Sequence, residues 1–431
     1  MLTKKFYENI ERQFTVNYPL NSKATYNTDM NYSSESNTSY QRWFKYKEGF
    51  SISMVESLIN KFSKFRQGII MDPFMGGATT LIAAKKLGFK SIGFEVNPFS
   101  YFLSQCKLEN YTKKDILKFR KIINEMKNVD FSKISYQLPF LSFAYKVFEK
   151  DIETYYMKIW FFIKNLKISK KIKNLLKLGW LSNLEFFSNY RKAGNGLKIK
   201  KKKKKIASIY EVLNILLNSY EQMYDDILHN KNASTSPFLI NDTCLNMKKY
   251  IKDSSINGII FSPPYANCFD YTEIYKLELW FGDFISNYSE LKDLRKKTLR
   301  SNLSSNLKDF SNIIESSTLN FLLSKLSAEK LWDPKIPIML KLYFSDMFRC
   351  INNCYAALSK NSFCCIIIGN SSYNNIVFPT DLIIAEYARS IGFKINSINI
   401  GRYIITSSQQ YNKTKNLKKY LRESVVCLTK N

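Results

Sequence analysis

The chain has 431 residues, of which 45% are hydrophobic and 15% aromatic, so it can bury a sizeable core and is not a disordered protein. Its formal net charge of +29 favours a polyanionic partner, and nucleic acid is the commonest polyanion. The longest apolar runs, such as 363–368, are too short to cross a membrane, and no apolar signal core follows the first residues. We therefore expect an intracellular, cytoplasmic protein with no membrane segment.

The cysteines and the single histidine argue against metal chemistry. Eight cysteines show no CxxC spacing, and His229 alone cannot build a zinc site or a histidine-dependent acyl-transfer site. We expect no bound metal, and we expect reduced cysteines with structural roles.

The positive charge is concentrated in one stretch of the chain. Residues 161–205 hold 15 lysines and arginines and one acid, Glu185. The stretch ends in KIKKKKKK (198–205), which repels itself and is expected to be a mobile loop unless phosphates neutralise it. The compositional bias of an AT-rich genome would also give a high total charge, so the distribution of the charge matters more than its total. A solvated loop that contacts nothing is the alternative interpretation of the concentrated stretch.

The first part of the chain predicts the start of a doubly wound sheet. The first forty residues lack clean periodicity and are typical of an arm that takes its order from something else. An amphipathic helix is predicted within 50–65, a buried strand at 68–72, a helix at 79–87 ended by Gly88, and a second strand at 91–95. Such a unit places its ligand crevice at the carboxyl ends of the strands.

The rest of the chain predicts an α/β fold with a Rossmann-like, doubly wound mixed sheet and two largely helical insertions. Further strands are predicted at 238–241, 258–261, 363–369, 395–400 and 424–428, and helices at 116–126, 209–227, 338–358 and 381–391. The predicted divisions are 1–98 (arm and cofactor half), 99–236 (basic insertion and candidate DNA-recognition region), 237–280 (catalytic half), 281–337 (second insertion) and 338–431 (the rest of the sheet).

The turn DPFMGGATT (72–80) predicts a nucleotide-like cofactor. Gly76 and Gly77 allow the backbone to approach a ligand closely and leave amide donors facing it. Glu95 closes the next strand, where an acid can accept both hydroxyl protons of a ribose. The GxGxxG spacing is absent, so a tight turn followed by an unrelated acid is the structural alternative.

The string IIFSPPYANCFDY (259–271) carries the sharpest chemical signal. Ser262, Pro263, Pro264 and Tyr265 form a stiff corner after a buried strand, because each proline fixes φ and has no N–H to donate. The corner presents a hydroxyl, the Pro263 carbonyl and an aromatic face. This set suits a planar ring that bears an amine.

Together these motifs resemble those of the S-adenosylmethionine-dependent DNA amino-methyltransferases of restriction–modification systems. The turn is similar to their DPFxGxGTT cofactor turn, with Ala78 in place of the second glycine, and SPPY to their catalytic tetrapeptide. SPPY is more typical of enzymes that make N4-methylcytosine, and DPPY or NPPY of adenine-N6 enzymes. The strings RWFKYKEGFS (42–51), FEVNP (94–98), LINDTCLNM (239–247), IIIGNSSY, SSQQ and LRESVV also look familial, whereas about 190 residues in the insertions have no recognised counterpart.

The resemblance implies a class I methyltransferase fold, S-adenosyl-L-methionine as cofactor, and a set of site residues. It implies that the segment 42–51 holds the methionine end of the cofactor and that Asp242 contacts its adenine ring. The implied cofactor-binding residues are Tyr46, Phe50, Asp72, Pro73, Phe74, Gly76, Gly77, Thr79, Glu95, Asn97 and Asp242, and the implied catalytic residues are Ser262, Pro263, Pro264 and Tyr265.

The amine chemistry predicts a direct displacement at a base swung out of the duplex. Ser262 and the Pro263 carbonyl would accept hydrogen bonds from the amine so that its lone pair faces the sulfonium methyl, and Tyr265 would stack on the base. No covalent intermediate is needed. The chain has no Pro-Cys dipeptide, which a cytosine-C5 methyltransferase would require.

Two groups of residues are candidates for contacts with the DNA. Asn267, Asp270 and Tyr271 either complete the base pocket or cap and anchor a following helix at 273–281, and the two interpretations carry equal weight. Lys201, Lys202 and Lys203 are the candidates for contacts with DNA phosphates.

The sequence therefore favours a site-specific DNA methyltransferase that modifies cytosine at N4 in duplex DNA, in a prokaryotic or phage setting, beside a cognate restriction endonuclease. Three alternatives remain. The same fold methylates adenine at N6, an RNA or tRNA amino-methyltransferase uses related chemistry, and a noncatalytic nucleic-acid binder could retain the fold.

Overall fold

A computed structural model describes residues 4–20, 35, 37–47, 49–194, 196–202, 208–229, 235–404 and 415–431. The helices in these residues are α1 Lys4–Glu11, α2 Ile52–Phe62, α3 Thr79–Lys86, α4 Pro98–Leu108, α5 Lys113–Met126, α6 Lys150–Asn165, α7 Lys170–Ser182, α8 Leu184–Phe187, α9 Ile209–His229, α10 Tyr271–Ile274, α11 Lys276–Phe281, α12 Tyr288–Lys297, α13 Ser317–Ser327, α14 Ile336–Ala357 and α15 Thr380–Ser390. The strands are β1 Val16–Asn17, β2 Ile69–Asp72, β3 Lys90–Phe94, β4 Tyr190–Ala193, β5 Gly196–Ile199, β6 Phe238–Ile240, β7 Ile256–Phe261, β8 Leu358–Gly369, β9 Ser371–Tyr373, β10 Ile376–Phe378, β11 Lys394–Tyr403 and β12 Arg422–Lys430.

Eight strands form one mixed sheet in the order β1-β11-β12-β8-β7-β2-β3-β6. The five strands from β8 to β6 are parallel to one another, and β12 runs antiparallel to both β8 and β11. The chain moves outward from β2 to β3 and β6 and then crosses to β7 on the other side of β2. This reversal marks a switch point at the carboxyl ends of β2 and β7, and the predicted doubly wound α/β fold is confirmed.

The sheet is covered by helices on both faces because its central strands are buried on both sides. Ile70 and Ile260 point into a core with α2 and α3, whereas their chain neighbours Met71 and Ile259 point into a core with α13, α14 and α15. Neighbouring residues of a strand face opposite sides of a sheet, so two separate cores are required. None of the described helices is both long enough and apolar enough to span a bilayer.

A third core belongs to the basic insertion and includes part of the second insertion. Helices α4 to α9 pack around a stacked group of aromatic rings that includes Tyr156, Trp160 and Trp180. Leu291 and Leu294 of α12 also pack into this core. The later leucines of the second insertion, at 299 and 319–326, instead pack against α14. The second insertion is therefore shared between two cores.

Three sequence expectations need correction. The arm forms α1 and a two-residue edge strand, β1, which pairs in parallel with β11 through Val16 and Ile398. The Lys-rich stretch is ordered at its start, because β5 ends at Ile199 and pairs with β4 in a hairpin. The helix expected at 273–281 is divided into α10 and α11. Residues 203–205 of the lysine run lie outside the described residues.

A buried ion pair anchors the loop that follows α12. The Arg300 Nε donates to Asp346 Oδ2 of α14 at 2.8 Å, and the Arg300 backbone N–H donates to the same oxygen at 3.2 Å. Both side chains are less than a tenth exposed. The loop 298–302 is therefore held against α14 by charge as well as by packing.

We expect Asp346→Ala to lower the free energy of unfolding by about 3–5 kcal/mol, because it leaves the Arg300 guanidinium buried without a counter-charge. Denaturant unfolding followed by circular dichroism measures this. Glu315→Ala is the matched control, since it removes a more exposed ion pair to Lys341, which lies in α14 like Asp346. This variant should lower the free energy of unfolding by no more than about 1 kcal/mol. Equal losses in the two variants would contradict the anchoring role.

Candidate active site

A cleft of about 990 Å³ opens at the carboxyl ends of β2, β3, β6 and β7, where the switch point lies. The predicted site residues that line it are Tyr46, Phe50, Pro73, Phe74, Gly76, Gly77, Thr79, Glu95, Asn97, Asp242, Ser262, Pro264, Asp270 and Tyr271.

Some predicted residues lie elsewhere. Asp72 is buried behind the turn and does not line the cleft; it accepts a hydrogen bond from the Phe74 backbone N–H at 2.8 Å. The Pro263 ring is buried. Lys201 and Lys202 are exposed and lie outside the cleft, and Lys203 is outside the described residues.

The turn after β2 is shaped by backbone in the left-handed region. Gly76 has φ of +45°, and a Cβ at this position would come within 3.0 Å of the Tyr46 ring. Ala78 has φ of +69°, a conformation that costs an L-residue roughly 1–2 kcal/mol. The departure from the glycine pattern therefore leaves the turn conformation intact and adds strain.

Glu95 ties the turn to the end of β3. Its Oε2 accepts from the Gly76 N–H at 3.0 Å and its Oε1 accepts from the Asn97 N–H at 2.8 Å. Burial raises the pKa of Glu95 to about 7, against the lowering effect of these two amide donors. The carboxyl group titrates near neutral pH and faces the cleft.

Asn97 and Asp242 add one free donor and one fixed carboxylate. The Asn97 Oδ1 caps α4, whereas its Nδ2 is buried and has no hydrogen-bond partner among the described residues. Asp242 accepts hydrogen bonds from the Thr243 N–H, Asn246 and the Tyr250 hydroxyl. Although burial acts to raise the pKa of Asp242, these hydrogen bonds lower it overall, so the group is a carboxylate at neutral pH.

Tyr46 packs directly on the glycine turn. Its ring stacks on Tyr275 at 5.2 Å between centroids, and its hydroxyl lies 3.2 Å from the Ser100 hydroxyl. The Tyr275 hydroxyl in turn accepts a hydrogen bond from the Lys47 backbone N–H at 2.8 Å. The segment before α2 is therefore fixed to α4 and to the residue that joins α10 to α11.

The SPPY corner joins the large cleft to a smaller one. The smaller cleft, of about 260 Å³, is lined by Ser262, Tyr265, Asn267, Phe269 and Tyr271. Ser262, Phe269 and Tyr271 line both clefts, so the two are contiguous. A ligand in the large cleft and a flat ring in the small one would meet at Ser262.

Tyr265 is half-buried, with its hydroxyl fixed by a residue that the sequence motifs did not single out. The hydroxyl donates to Glu423 of β12 and lies 3.4 Å from the Ser262 Oγ. The ring lies on Gly369, where a Cβ would come within 2.7 Å of it. Glu423 stands in the LRESVV string, whose letters alone carry no sign of this contact.

Asp270 caps α10, which is one of the two roles that the sequence left open. Its Oδ1 caps α10 by accepting from the Thr272 N–H at 2.8 Å and from the Thr272 hydroxyl at 2.6 Å. Its Oδ2 has no hydrogen bond within the described residues and lies 3.4 Å from the Arg295 Nε. Asp270 is 6% exposed and lines the large cleft, so one oxygen anchors the helix while the other is paired with Arg295.

The second insertion contributes part of the cleft wall that the sequence did not predict. Lys297, Thr298, Leu299, Ser301 and Asn302 line the large cleft together with Thr243 and Cys244. The Arg300–Asp346 pair holds this loop in place. No local motif marks the segment, because its position depends on packing against α14.

The β4–β5 hairpin of the basic insertion packs beside the site. The Lys192 ammonium pairs with Glu278 of α11, and both side chains are less than a tenth exposed. It also lies over the rings of Phe44 and Tyr275, at 4.9 and 5.1 Å. Lys192 is thus a structural cation, and the exposed Lys201 and Lys202 follow the hairpin.

Comparisons with known proteins agree with the motifs. Residues 4–105 match the model of the N6/N4 methyltransferase family, described as DNA methylase. The type II methyltransferase M.BsoBI of Geobacillus stearothermophilus is 27% identical over 467 residues, which span 96% of this chain and 88% of that protein. M.AvaI of a Nostoc species is 28% identical over 391 residues, or 83% and 80% of the two chains. M.MjaII of Methanocaldococcus jannaschii is 36% identical over 129 residues, which cover 29% of this chain and 23% of that protein.

These matches confirm the predicted resemblance to the DNA amino-methyltransferases of restriction–modification systems. The family covers amine methylation at both N6 and N4. The methyl donor implied by the family and the fold is S-adenosylmethionine. Among the described residues, no cluster of three or more histidine, cysteine, aspartate or glutamate side chains could hold a metal ion.

The residues present fit this cofactor. The unpartnered Asn97 Nδ2 offers a buried donor, Glu95 offers a carboxylate beside the glycine turn, and Asp242 supplies a second carboxylate at the end of β6. Glu95 and Asp242 can accept hydrogen bonds from ribose hydroxyls and from the adenine amine. The set matches a nucleoside that carries hydroxyl and amine donors.

We expect the affinity for S-adenosylmethionine to rise with pH and then level off above about pH 7. Below the pKa of Glu95 the protonated carboxyl has one acceptor fewer, so affinity should fall by up to about tenfold per pH unit. Isothermal titration calorimetry between pH 5.5 and 8.5 measures this. Glu95→Gln should bind weakly with a flatter profile.

Asp72→Asn is the matched control for this prediction. Burial also raises the pKa of Asp72 to about 7, but Asp72 does not line the cleft. The pH dependence should therefore persist in this variant. A profile that flattens in Asp72→Asn and not in Glu95→Gln would contradict the assignment to Glu95.

Proposed function

We propose that the chain transfers a methyl group from S-adenosyl-L-methionine to the exocyclic N4 amine of a cytosine swung out of duplex DNA, as the modification enzyme of a restriction–modification system with a cognate endonuclease. The observation that carries the proposal is the position of Ser262 at the junction of the two contiguous clefts. The large cleft lies beside the glycine turn, and the small cleft has a largely aromatic lining.

The chain's own groups act by orientation. The amine nitrogen of cytosine is a poor nucleophile because its lone pair is delocalised into the ring. Ser262 and the Pro263 carbonyl accept hydrogen bonds from the two amine N–H groups. The nitrogen therefore becomes pyramidal, and its lone pair turns toward the large cleft. The cofactor supplies an electrophilic sulfonium methyl group.

The small cleft presents aromatic side chains on which a flat ring would stack. Tyr265 and Phe269 offer aromatic surface, and Asn267 and Tyr271 complete the lining. Asp270, whose Oδ2 is paired with Arg295, borders the large cleft next to this lining. A base reaches such a cleft only after it leaves the duplex stack.

Cytosine is preferred to adenine because of the serine in the tetrapeptide. Adenine-N6 methylation is the second candidate, since a slot that holds an amine accepts either ring and the related family contains both activities.

The experiment is expression in a methylation-deficient host, followed by digestion of the host DNA to nucleosides and mass analysis. N4-methylcytosine should appear, and N6-methyladenine should not. Ser262→Ala should reduce methyl transfer on the order of 100-fold with little change in cofactor affinity, because it removes an acceptor used only in the transition state.

Ser345→Ala is the matched control for Ser262→Ala. Ser345 is a buried serine of α14 that accepts a hydrogen bond from the Ile314 N–H at 3.0 Å and does not line either cleft. Its loss should leave the rate unchanged.

In the analysis of host DNA, N6-methyladenine as the sole product would overturn the cytosine assignment and leave amine methylation intact.

A separate prediction concerns the DNA backbone. We expect Lys201→Gln/Lys202→Gln to reduce the slope of log K against log salt by up to about 2, since each lost phosphate contact removes about 0.9. Fluorescence anisotropy with a duplex at several salt concentrations measures the slope.

Lys360→Gln/Lys394→Gln is the control for the backbone prediction. These exposed lysines lie near the starts of β8 and β11, at the edge of the sheet opposite the clefts, and their loss changes the net charge equally. Equal slopes in the two double variants would assign the effect to net charge alone.

A further inference from the structure

We propose that Glu423 is a positioning residue that makes Ser262 an acceptor toward the target amine, acting through the Tyr265 hydroxyl. The inference rests on the proposed amine methylation and adds a role for Glu423, which lies on β12. It concerns the direction of the hydrogen bonds, which the motif letters do not specify.

Three strands form the platform beneath Tyr265. Gly369, Glu423 and Arg402 are cross-strand neighbours on β8, β12 and β11. The Tyr265 ring lies on Gly369, its hydroxyl donates to the Glu423 Oε1, and the Arg402 Nε donates to the Glu423 Oε2. Glu423 is 5% exposed, so this carboxylate is buried with a cation on one oxygen and a phenol on the other.

The carboxylate fixes the direction of each hydrogen bond in turn. An ionised carboxylate has acceptors only, so the Tyr265 hydroxyl must be the donor in its contact with Glu423. Burial and the neighbouring charge of Glu423 raise the pKa of Tyr265 well above its usual value, which keeps the phenol protonated. The Tyr265 oxygen then has only lone pairs to offer to Ser262.

Ser262 is therefore the donor in its hydrogen bond to the Tyr265 oxygen. The two oxygens are 3.4 Å apart, a long hydrogen bond in which the Ser262 Oγ is the donor. The remaining lone pairs of Ser262 can face an amine in the cleft. A free serine hydroxyl would rotate and could point its proton at the amine, an arrangement that repels the substrate.

The hydrogen bond from Ser262 to Tyr265 matters because a serine hydroxyl, unlike a carboxylate, carries a hydrogen. The side-chain oxygen of an aspartate or of an asparagine amide accepts hydrogen bonds without help, so DPPY and NPPY sites need no partner to dispose of a proton. A serine at the same position has a hydrogen that must be held elsewhere. Tyr265 and Glu423 hold it away from the base.

The test measures single-turnover methyl transfer, steady-state kinetics and cofactor affinity in full-length variants. Glu423→Ala should lower kcat roughly 10- to 100-fold with little change in the KM for DNA or in the calorimetric affinity for S-adenosylmethionine. Glu423→Gln should retain most of the activity, because its amide oxygen can accept the same hydrogen bond. Tyr265→Phe keeps the ring and should lower kcat by a similar factor.

A double variant tests whether the two residues act as one unit. Glu423→Ala in the Tyr265→Phe background should cost little more than Tyr265→Phe alone, because the shared hydroxyl is already gone. Additive losses would overturn the proposal. So would a wild-type kcat in Tyr265→Phe, which buries no unpaired charge and should fold.

Glu11→Ala is the matched control. The Glu11 carboxylate also accepts hydrogen bonds from a tyrosine hydroxyl, that of Tyr18 at 2.6 Å, and from the guanidinium of Arg422. Glu11 lies in α1, however, and lines neither cleft. Its loss should affect thermal stability and leave kcat unchanged. A kcat loss as large as that of Glu423→Ala would assign the effect to general destabilisation.

The outcome is separable from that of the proposed function. If wild-type protein makes only N6-methyladenine, the cytosine assignment fails while the kcat ratios still decide the role of Glu423. If wild-type protein makes N4-methylcytosine and Glu423→Ala has normal kinetics, the positioning role alone is wrong.

Discussion

The site depends on one constraint, which is that parallel strands end at the same edge of a sheet. β2, β3, β6 and β7 lead into Asp72, Glu95, Asp242 and Ser262 at that edge, although these residues are spread over 190 positions of the chain. The reversal between β2 and β7 opens a crevice because the chain leaves the two strands in opposite directions. Acids and amides placed there stay close to the backbone donors of the glycine turn.

The insertions serve this edge as well as enlarging the molecule. The first sends a hairpin against α10 and α11, and the second supplies the loop 297–302 to the cleft wall. Their hydrophobic side chains divide between two cores, so neither insertion is a simple appendage. One part of the cleft wall, the loop 297–302, therefore has no recognised counterpart in the motif pattern.

The sequence predicted the parts of the fold that local patterns encode. Strong periodicity and cap residues placed α3, α14 and the central strands within a few residues of their observed bounds. β1 was missed because two residues carry no period, and the β4–β5 hairpin because short, charged strands look like a loop. Most of the predicted site residues lie along the large cleft, yet Asp72 lies behind the turn, and Glu423 is 158 residues from Tyr265. Such contacts arise from tertiary packing, which one sequence does not display.

The buried pair of Lys192 and Glu278 has a mechanical consequence. Lys192 sits on the hairpin that leads to the exposed lysines, and its ammonium covers Tyr275, the ring that supports Tyr46 above the glycine turn. Removing one partner of such a buried pair costs about 3–5 kcal/mol. Because Lys192, Tyr275 and Tyr46 are packed in succession, a displacement of the hairpin would also displace the ring that lies against the glycine turn.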